Sequence, residues 1–172
     1  MELRALRASD DRSSFSCGEE ALDLFFHRFA GQNQFKHHLG VTYVAVKGER
    51  ILGFATVAPR HLTIDDLPEA ERKKLPRYPI PVLGLARLAV DKSSQSLGIG
   101  GVLLRFVLKL ALEQAAKVGC AGVIVDAKES AVVFYSRYGF VPFEALEGAS
   151  GARPRPVTMW LSIRAIEAAR KP

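Results

Sequence analysis

Three glycines in four positions, Gly98, Gly100 and Gly101, stand at the mouth of a long apolar run. Glycine costs about 1 kcal/mol against alanine inside a helix, so three together mark a backbone that something approaches closely. A strand, a loop and a glycine-rich helix start make an anion site. Unpaired amides point outward there, and the helix dipole favours negative charge. Two mismatches narrow the anion. No Lys-Ser/Thr follows the glycines, which excludes the P-loop pattern. The dinucleotide pattern G-x-G-x-x-G needs a third glycine where Leu103 stands, and the loop from Val90 to Gly98 is too long for that tight turn. A pyrophosphate bound outside those two folds is the expectation.

Other reactive side chains are sparse. Tyr135 sits between Phe134 and Tyr138 and, by itself, reads as a packed aromatic. Asp126, Glu129 and Glu144 read as solvated or capping carboxylates, so no general base stands out. Cys17 and Cys120 lie far apart without metal-ligand spacing, which points to free thiols in a reducing cytoplasm. His27, His37 and His38 form no zinc pattern, and no metal is expected.

These residues must be held by a fold that 172 residues can build as one domain with a proper core. The composition, 48% hydrophobic and 24% charged, is that of a soluble globular protein, with no signal-peptide pattern and no membrane-length apolar run. The excess of 24 basic over 18 acidic residues, net +6, suits a polyanionic partner or a phosphate-rich cofactor.

Ser16 and Glu19 have the spacing of a capping box. Behind them Leu22, Phe26 and Phe29, with Phe25, predict an amphipathic helix running to about His37. Val41–Lys47 and Ile51–Ala58, joined by Gly48-Glu49, predict a hairpin. Residues 59–81, with Pro59, Pro68, Pro76, Pro79 and Pro81, predict a loop with a short helix at Glu69–Leu75. A strand follows over Val82–Val90, where Gly84 suggests a bulge or close backbone approach. The helix from Gly98 to about Lys117 is apolar nearly all round and so should be buried, with Gly119 as its stop. The remaining expectations are a strand at Gly122–Asp126, a helix at Glu129–Tyr138 stopped by Gly139, and strands at Phe140–Ala145 and Val157–Ile163. The order describes an α/β domain with a mixed sheet.

Gln95-Ser96-Leu97-Gly98-Ile99-Gly100 resembles the Q/R-x-x-G-x-G/A signature of the GNAT superfamily of N-acetyltransferases. Ala131 to Phe140 is similar to that family's second signature, A-x-x-F-Y-x-x-x-G-F. A narrower likeness, to the acetylating toxins of bacterial toxin–antitoxin systems, is carried by four segments. They are Phe15-Ser16-Cys17-Gly18, Asn33-Gln34, Thr42 to Val46, and Leu85-Ala86-Arg87-Leu88-Ala89-Val90-Asp91. The resemblance implies one GNAT domain over residues 1–172, with a mixed, mostly antiparallel central sheet flanked by helices. It implies acetyl-CoA as cosubstrate, held by Gln95, Ser96, Leu97, Gly98, Ile99, Gly100 and Gly101 at the pyrophosphate. Leu88, Ala89 and Val90 would lie along the pantetheine arm. Lys128 departs from the pattern, standing where many members carry an asparagine.

Acetyl transfer to an amine needs a neutral amine, stabilisation of the oxyanion and a proton for the leaving thiolate. The resemblance makes Tyr135 the proton donor, because a phenol stays protonated at neutral pH. Tyr138 is then structural, and the oxyanion donor is a backbone amide of Leu88–Val90. Absence of a general base favours an α-amine, reference pKa about 8, over a lysine near 10.4. The toxin likeness implies aminoacyl-tRNA as substrate, a ribbon-helix-helix antitoxin, a homodimer and a cytoplasmic location. Arg28, Lys36, Arg77 and Arg87 are the candidate RNA contacts, with Arg72, Lys73, Lys74, Arg153 and Arg155 behind them. Ala86 and Leu88 leave open that Arg87 lies on the outer sheet face. Two other readings compete: an acetyltransferase for a small-molecule or protein amine, and a non-catalytic CoA- or nucleic-acid-binding module.

Overall fold

The computed structural model describes residues 1–67, 69–143 and 156–170. Seven strands form one mostly antiparallel sheet in the order β1-β2-β3-β4-β5-β7-β6. They are β1 (Glu2–Ala5), β2 (Val41–Lys47), β3 (Arg50–Leu62), β4 (Ile80–Val90), β5 (Gly122–Ala127), β6 (Val141–Pro142) and β7 (Val157–Ser162). The helices are α1 (Glu20–Leu24), α2 (Glu69–Arg72), α3 (Ile99–Lys117), α4 (Val132–Ser136) and α5 (Ile163–Arg170). This is the α/β architecture expected. The chain divides into two compact units, Met1–Ala58 with Leu85–Lys109, and Pro59–Gly84 with Leu110–Pro172.

In the first unit the hairpin forms as its β-branched alternation requires. Gly48, at φ +63°, is the first of two turn residues, where a type II′ turn needs glycine. The core is aromatic. Phe26 stacks on Phe54 at 4.3 Å, and Phe15 meets both rings edge-on. Val44, Val46, Ile51 and Ala89 close around them.

The first helical segment departs from expectation twice. Ser16 and Glu19 make no capping box: α1 starts at Glu20 without a side-chain cap, and the Asp23 carboxylate reaches back to the Cys17 amide at 2.8 Å instead. The Ser16 amide, which Glu19 would cap in that motif, donates to the Asp91 carboxylate at 3.0 Å. The segment runs to His37 as anticipated, but α1 passes into π-helical turns over Phe25–Phe29 and Gln32–Lys36. Each π-turn adds a residue to the circuit, so Phe25 and Phe26 stay buried while Phe29 rotates into solvent.

The second unit packs Leu62, Leu67, Ile80, Val82 and Ile124 around Trp160. Gly122 is required there, because a Cβ would strike the Trp160 ring and the Leu161 carbonyl across the β5–β7 ladder. β3 extends through Pro59 to Leu62, further than the proline suggested. Proline tolerates extended backbone and removes only one donor, while buried Leu62 anchors the tail. The loop expected at 59–81 therefore shortens, and its helix spans only Glu69–Arg72.

Gly139 ends the helix at α4 with φ +94°. The strand expected from Phe140 reduces to Val141–Pro142, while Glu144, Ala145, Arg153, Arg155 and Pro68 lie outside the described residues. β1 and α5 were not anticipated. β1 is four residues long and carries Glu2 and Arg4, too short and charged for a strand signal. α5 does have one: Ser162 Oγ accepts from the Ala165 amide at 3.1 Å, and Ile163 and Ile166 follow at helical spacing.

Candidate cofactor and substrate sites

β4 ends at Val90, and the next five residues are fastened tightly to the 16–17 segment. Asp91 is buried, and its carboxylate accepts from the Ser16 amide (3.0 Å), the Ser93 amide (3.0 Å) and the Ser93 hydroxyl (2.6 Å). Arg50 approaches from outside at 3.5 Å and also donates to the Ser93 hydroxyl. Desolvation alone would raise the Asp91 carboxyl, but these hydrogen bonds and the Arg50 charge outweigh it and hold it below the usual range. The Lys92 amide donates to the Ser16 carbonyl at 2.8 Å. Gln95 commits its side-chain amide to the Cys17 and Val90 carbonyls at 3.0 and 3.1 Å. Its side chain thus pins the loop, leaving its backbone for a ligand. Asp91 drew no notice in the sequence as a functional residue. The signal was there: Asp-x-Ser is an Asx-turn pattern.

From Gln95 to Gly98 the loop is exposed, with left-handed backbone at Ser96 (φ +67°) and Gly98 (φ +80°). A Cβ on Gly98 would meet open space, so conformation rather than crowding requires glycine there. The Val102 amide donates to the Gly98 carbonyl at 3.1 Å, the first bond of α3. The amides of Ile99, Gly100 and Gly101 precede it and have no intrahelical acceptor. A helix of 19 residues brings its full dipole to this point. An exposed loop, free amides and small residues fit a pyrophosphate. α3 itself is amphipathic rather than buried all round: Leu103, Leu104, Val107 and Ala111 face inward, while Arg105, Lys109 and Glu113 are exposed.

Within the same unit, Leu88, Ala89 and Val90 form the end of β4, Ala89 buried and the other two half-buried. Arg87 is half-buried, with its guanidinium 3.7 Å from the centre of the Phe25 ring. Burial lowers its pKa. Stacking of this kind holds a cation without neutralising it. Arg28 and Lys36 are exposed on the helical segment that supplies Phe25.

The second unit holds the other two candidates. Arg77 lines an open cavity of about 540 Å³ with Arg72, Lys73, Asp65 and Glu69, so carboxylates temper that basic patch. Tyr135, on α4, is only 5% exposed, edge-on to Phe134 (5.1 Å) and Phe140 (5.5 Å). Desolvation pushes its phenol well above the ordinary value, so it stays neutral throughout the physiological range. Asp126 accepts from Thr158 Oγ1 at 2.7 Å and Arg60 at 3.3 Å, and Glu129 is exposed, as solvated carboxylates should be. Tyr138 packs against Phe134 at 5.4 Å.

Residues 38–142 match the acetyltransferase (GNAT) domain family. A curated relative, the tRNA-acetylating toxin of Mycobacterium tuberculosis, is 33% identical over 140 residues, covering 80% of this chain and 82% of its own. AtaT complexed with acetyl-methionyl-tRNAfMet superposes with a TM-score of 0.82 at 28% identity, over 99% of both chains. A tyrosine-to-phenylalanine mutant of the AtaT toxin, bound to the C-terminus of the antitoxin AtaR and acetyl-CoA, gives 0.76 at 25% identity over 98% and 97%. The glycine-rich helix start, the strand before it and the buried tyrosine therefore belong to an N-acetyltransferase, and the chain is a member of the GNAT acetyltransferase family.

Proposed function

We propose that the protein transfers an acetyl group from acetyl-CoA to the α-amine of aminoacyl-tRNA and so acts as a translation-blocking toxin. The observation that supports this most is the 33% identity to a tRNA-acetylating toxin across 80% of the chain. When bound, acetyl-CoA supplies an activated thioester. The first-turn amides of Ile99, Gly100 and Gly101 bind its pyrophosphate, and the Asp91–Gln95 clamp keeps that loop in place. The backbone of Leu88–Val90 aligns the pantetheine arm and supplies the oxyanion donor.

Tyr135 holds a proton at its hydroxyl for the departing sulfur. A phenol raised by burial gives up that proton completely only at high cost. It therefore donates a strong hydrogen bond and releases the proton only as the amine's own proton returns through water. The absence of a side-chain base fits an α-amine, about a tenth of which is neutral at pH 7. Arg28, Lys36, Arg77 and Arg87 contact the RNA. The same proposal takes the chain as one acetyltransferase domain over 1–172, acting in the cytoplasm as a homodimer restrained by a ribbon-helix-helix antitoxin.

Labelled acetyl-CoA offered to charged and stripped tRNA pools tests the reading, with Tyr135→Phe beside wild type. Label should enter only the charged pool, with turnover down about 10²-fold or more in the variant and acetyl-CoA binding retained. Label in neither pool, despite measurable acetyl-CoA binding, rejects the substrate. Equal loss of binding and turnover in Tyr135→Phe removes Tyr135 from the proton-donor role.

A further inference from the structure

The π-turns of residues 25–36 do more than expel Phe29. Phe26 and Ala30 are buried, and the Gln34 side chain reaches inward to the Leu6 carbonyl (3.0 Å) and the Thr42 amide (2.9 Å). The inward positions therefore repeat every four residues. On an ordinary helix of 3.6 residues per turn, positions eight apart differ by about 80°. At four per turn they fall in line, so Arg28, Gln32 and Lys36 form one outward row. Phe29 and Phe35 flank that row on opposite sides, 45% and 44% exposed. No carboxylate occurs from Leu24 to Gly48. Among the described residues neither Arg28 nor Lys36 makes an ion pair or hydrogen bond.

Two unpaired cations in line, with a bare aromatic ring on either side and no negative charge along the segment, match one partner chemistry. A single-stranded polynucleotide presents phosphates in a row and bases whose faces are free to stack. A duplex hides those faces, and an acidic peptide has no use for the rings. We infer that this helical face binds the unpaired 3′ end of the RNA, with Arg28 and Lys36 on its phosphates and Phe29 and Phe35 stacking on its bases. The inference rests on the aminoacyl-tRNA reading for the identity of the strand, but it is read out by binding rather than turnover.

The test measures affinity of the full chain for a fluorescent, uncharged single-stranded RNA carrying the tRNA 3′ sequence, and for the same sequence in a duplex. Phe29→Ala and Phe35→Ala should each weaken the single strand about tenfold, leaving the duplex little changed. The double variant Arg28→Gln/Lys36→Gln should lower the log–log salt slope for the single strand by about 1.4. Phe29→Tyr and Phe35→Tyr, which keep a stacking ring, should restore binding and so separate stacking from a folding defect. Alanine variants that bind like wild type, or lose single strand and duplex alike, overturn the inference. So does a change in sedimentation on Phe→Ala substitution, because the face would then join copies of this chain. A wild type that binds the strand through these residues but acetylates no charged tRNA rejects the function and keeps this surface.

Discussion

The Asp91 carboxylate accepts three hydrogen bonds, all from Ser16 and Ser93. It is a positioning residue, tying the start of the glycine-rich loop to Ser16, 75 positions away in sequence. Its carboxyl lies below the ordinary range in the folded chain. A depressed carboxyl stabilises the fold at pH values above its unfolded value, near 4, and that contribution disappears as pH falls through the folded value. Asp91→Asn should therefore flatten the acid-unfolding curve below about pH 4. It should also raise the KM for acetyl-CoA several-fold with little change in kcat. An unchanged KM would show that the loop keeps its shape without the clamp. Tyr135 illustrates the opposite case: burial raises its pKa and keeps its proton in place, which suits a donor that must not ionise early.

Elements turn these residues into a site. α3 would be an ordinary amphipathic helix but for its first turn, where Gly98 adopts φ +80° and the next three amides stay free. Gly98→Ala should cost about 1 kcal/mol in stability, the penalty for a Cβ in left-handed backbone, with a modest loss of cofactor affinity. Gly100→Val should act the other way round. It sits in helical backbone, so stability changes little, but its branched side chain crowds the amides and acetyl-CoA binding weakens at least tenfold. Calorimetric titration beside thermal melts separates the two. Equal affinities in wild type and Gly100→Val would mean the anion lies elsewhere. The π-turns make the same point for the proposed RNA face: their wider circuit decides which side chains line up.

The whole molecule carries net charge +6. A polyanionic substrate bound through several Lys and Arg contacts should lose affinity steeply with salt, each contact adding about 0.7–0.9 to the log–log slope. Raising salt from 50 to 200 mM should raise KM for charged tRNA by an order of magnitude or more while barely moving KM for a small amine. Parallel salt dependences for both would leave the basic surface without a role in substrate capture.

Sequence alone determined the chemistry and most of the order of elements. The glycine signature, the F-Y pair before Gly139 and the β-branched hairpin are local patterns, and local patterns survive folding because their causes lie within a few residues. Gly48, Gly119 and Gly139 adopt the left-handed backbone that only glycine takes cheaply, so each marked its turn or helix end legibly. Tertiary structure decided the rest. The capping box failed because the Ser16 amide, which Glu19 would have capped, donates to the distant Asp91 carboxylate instead. Phe29 left the core because π-turns, which carry no sequence period of their own, changed the helix register. Asp91 gained its role only when folding brought Ser16 and Arg50 beside it, and Arg87 found Phe25 the same way. Such partners are distant in the chain, and a single sequence records the side chain but not the neighbour it will meet.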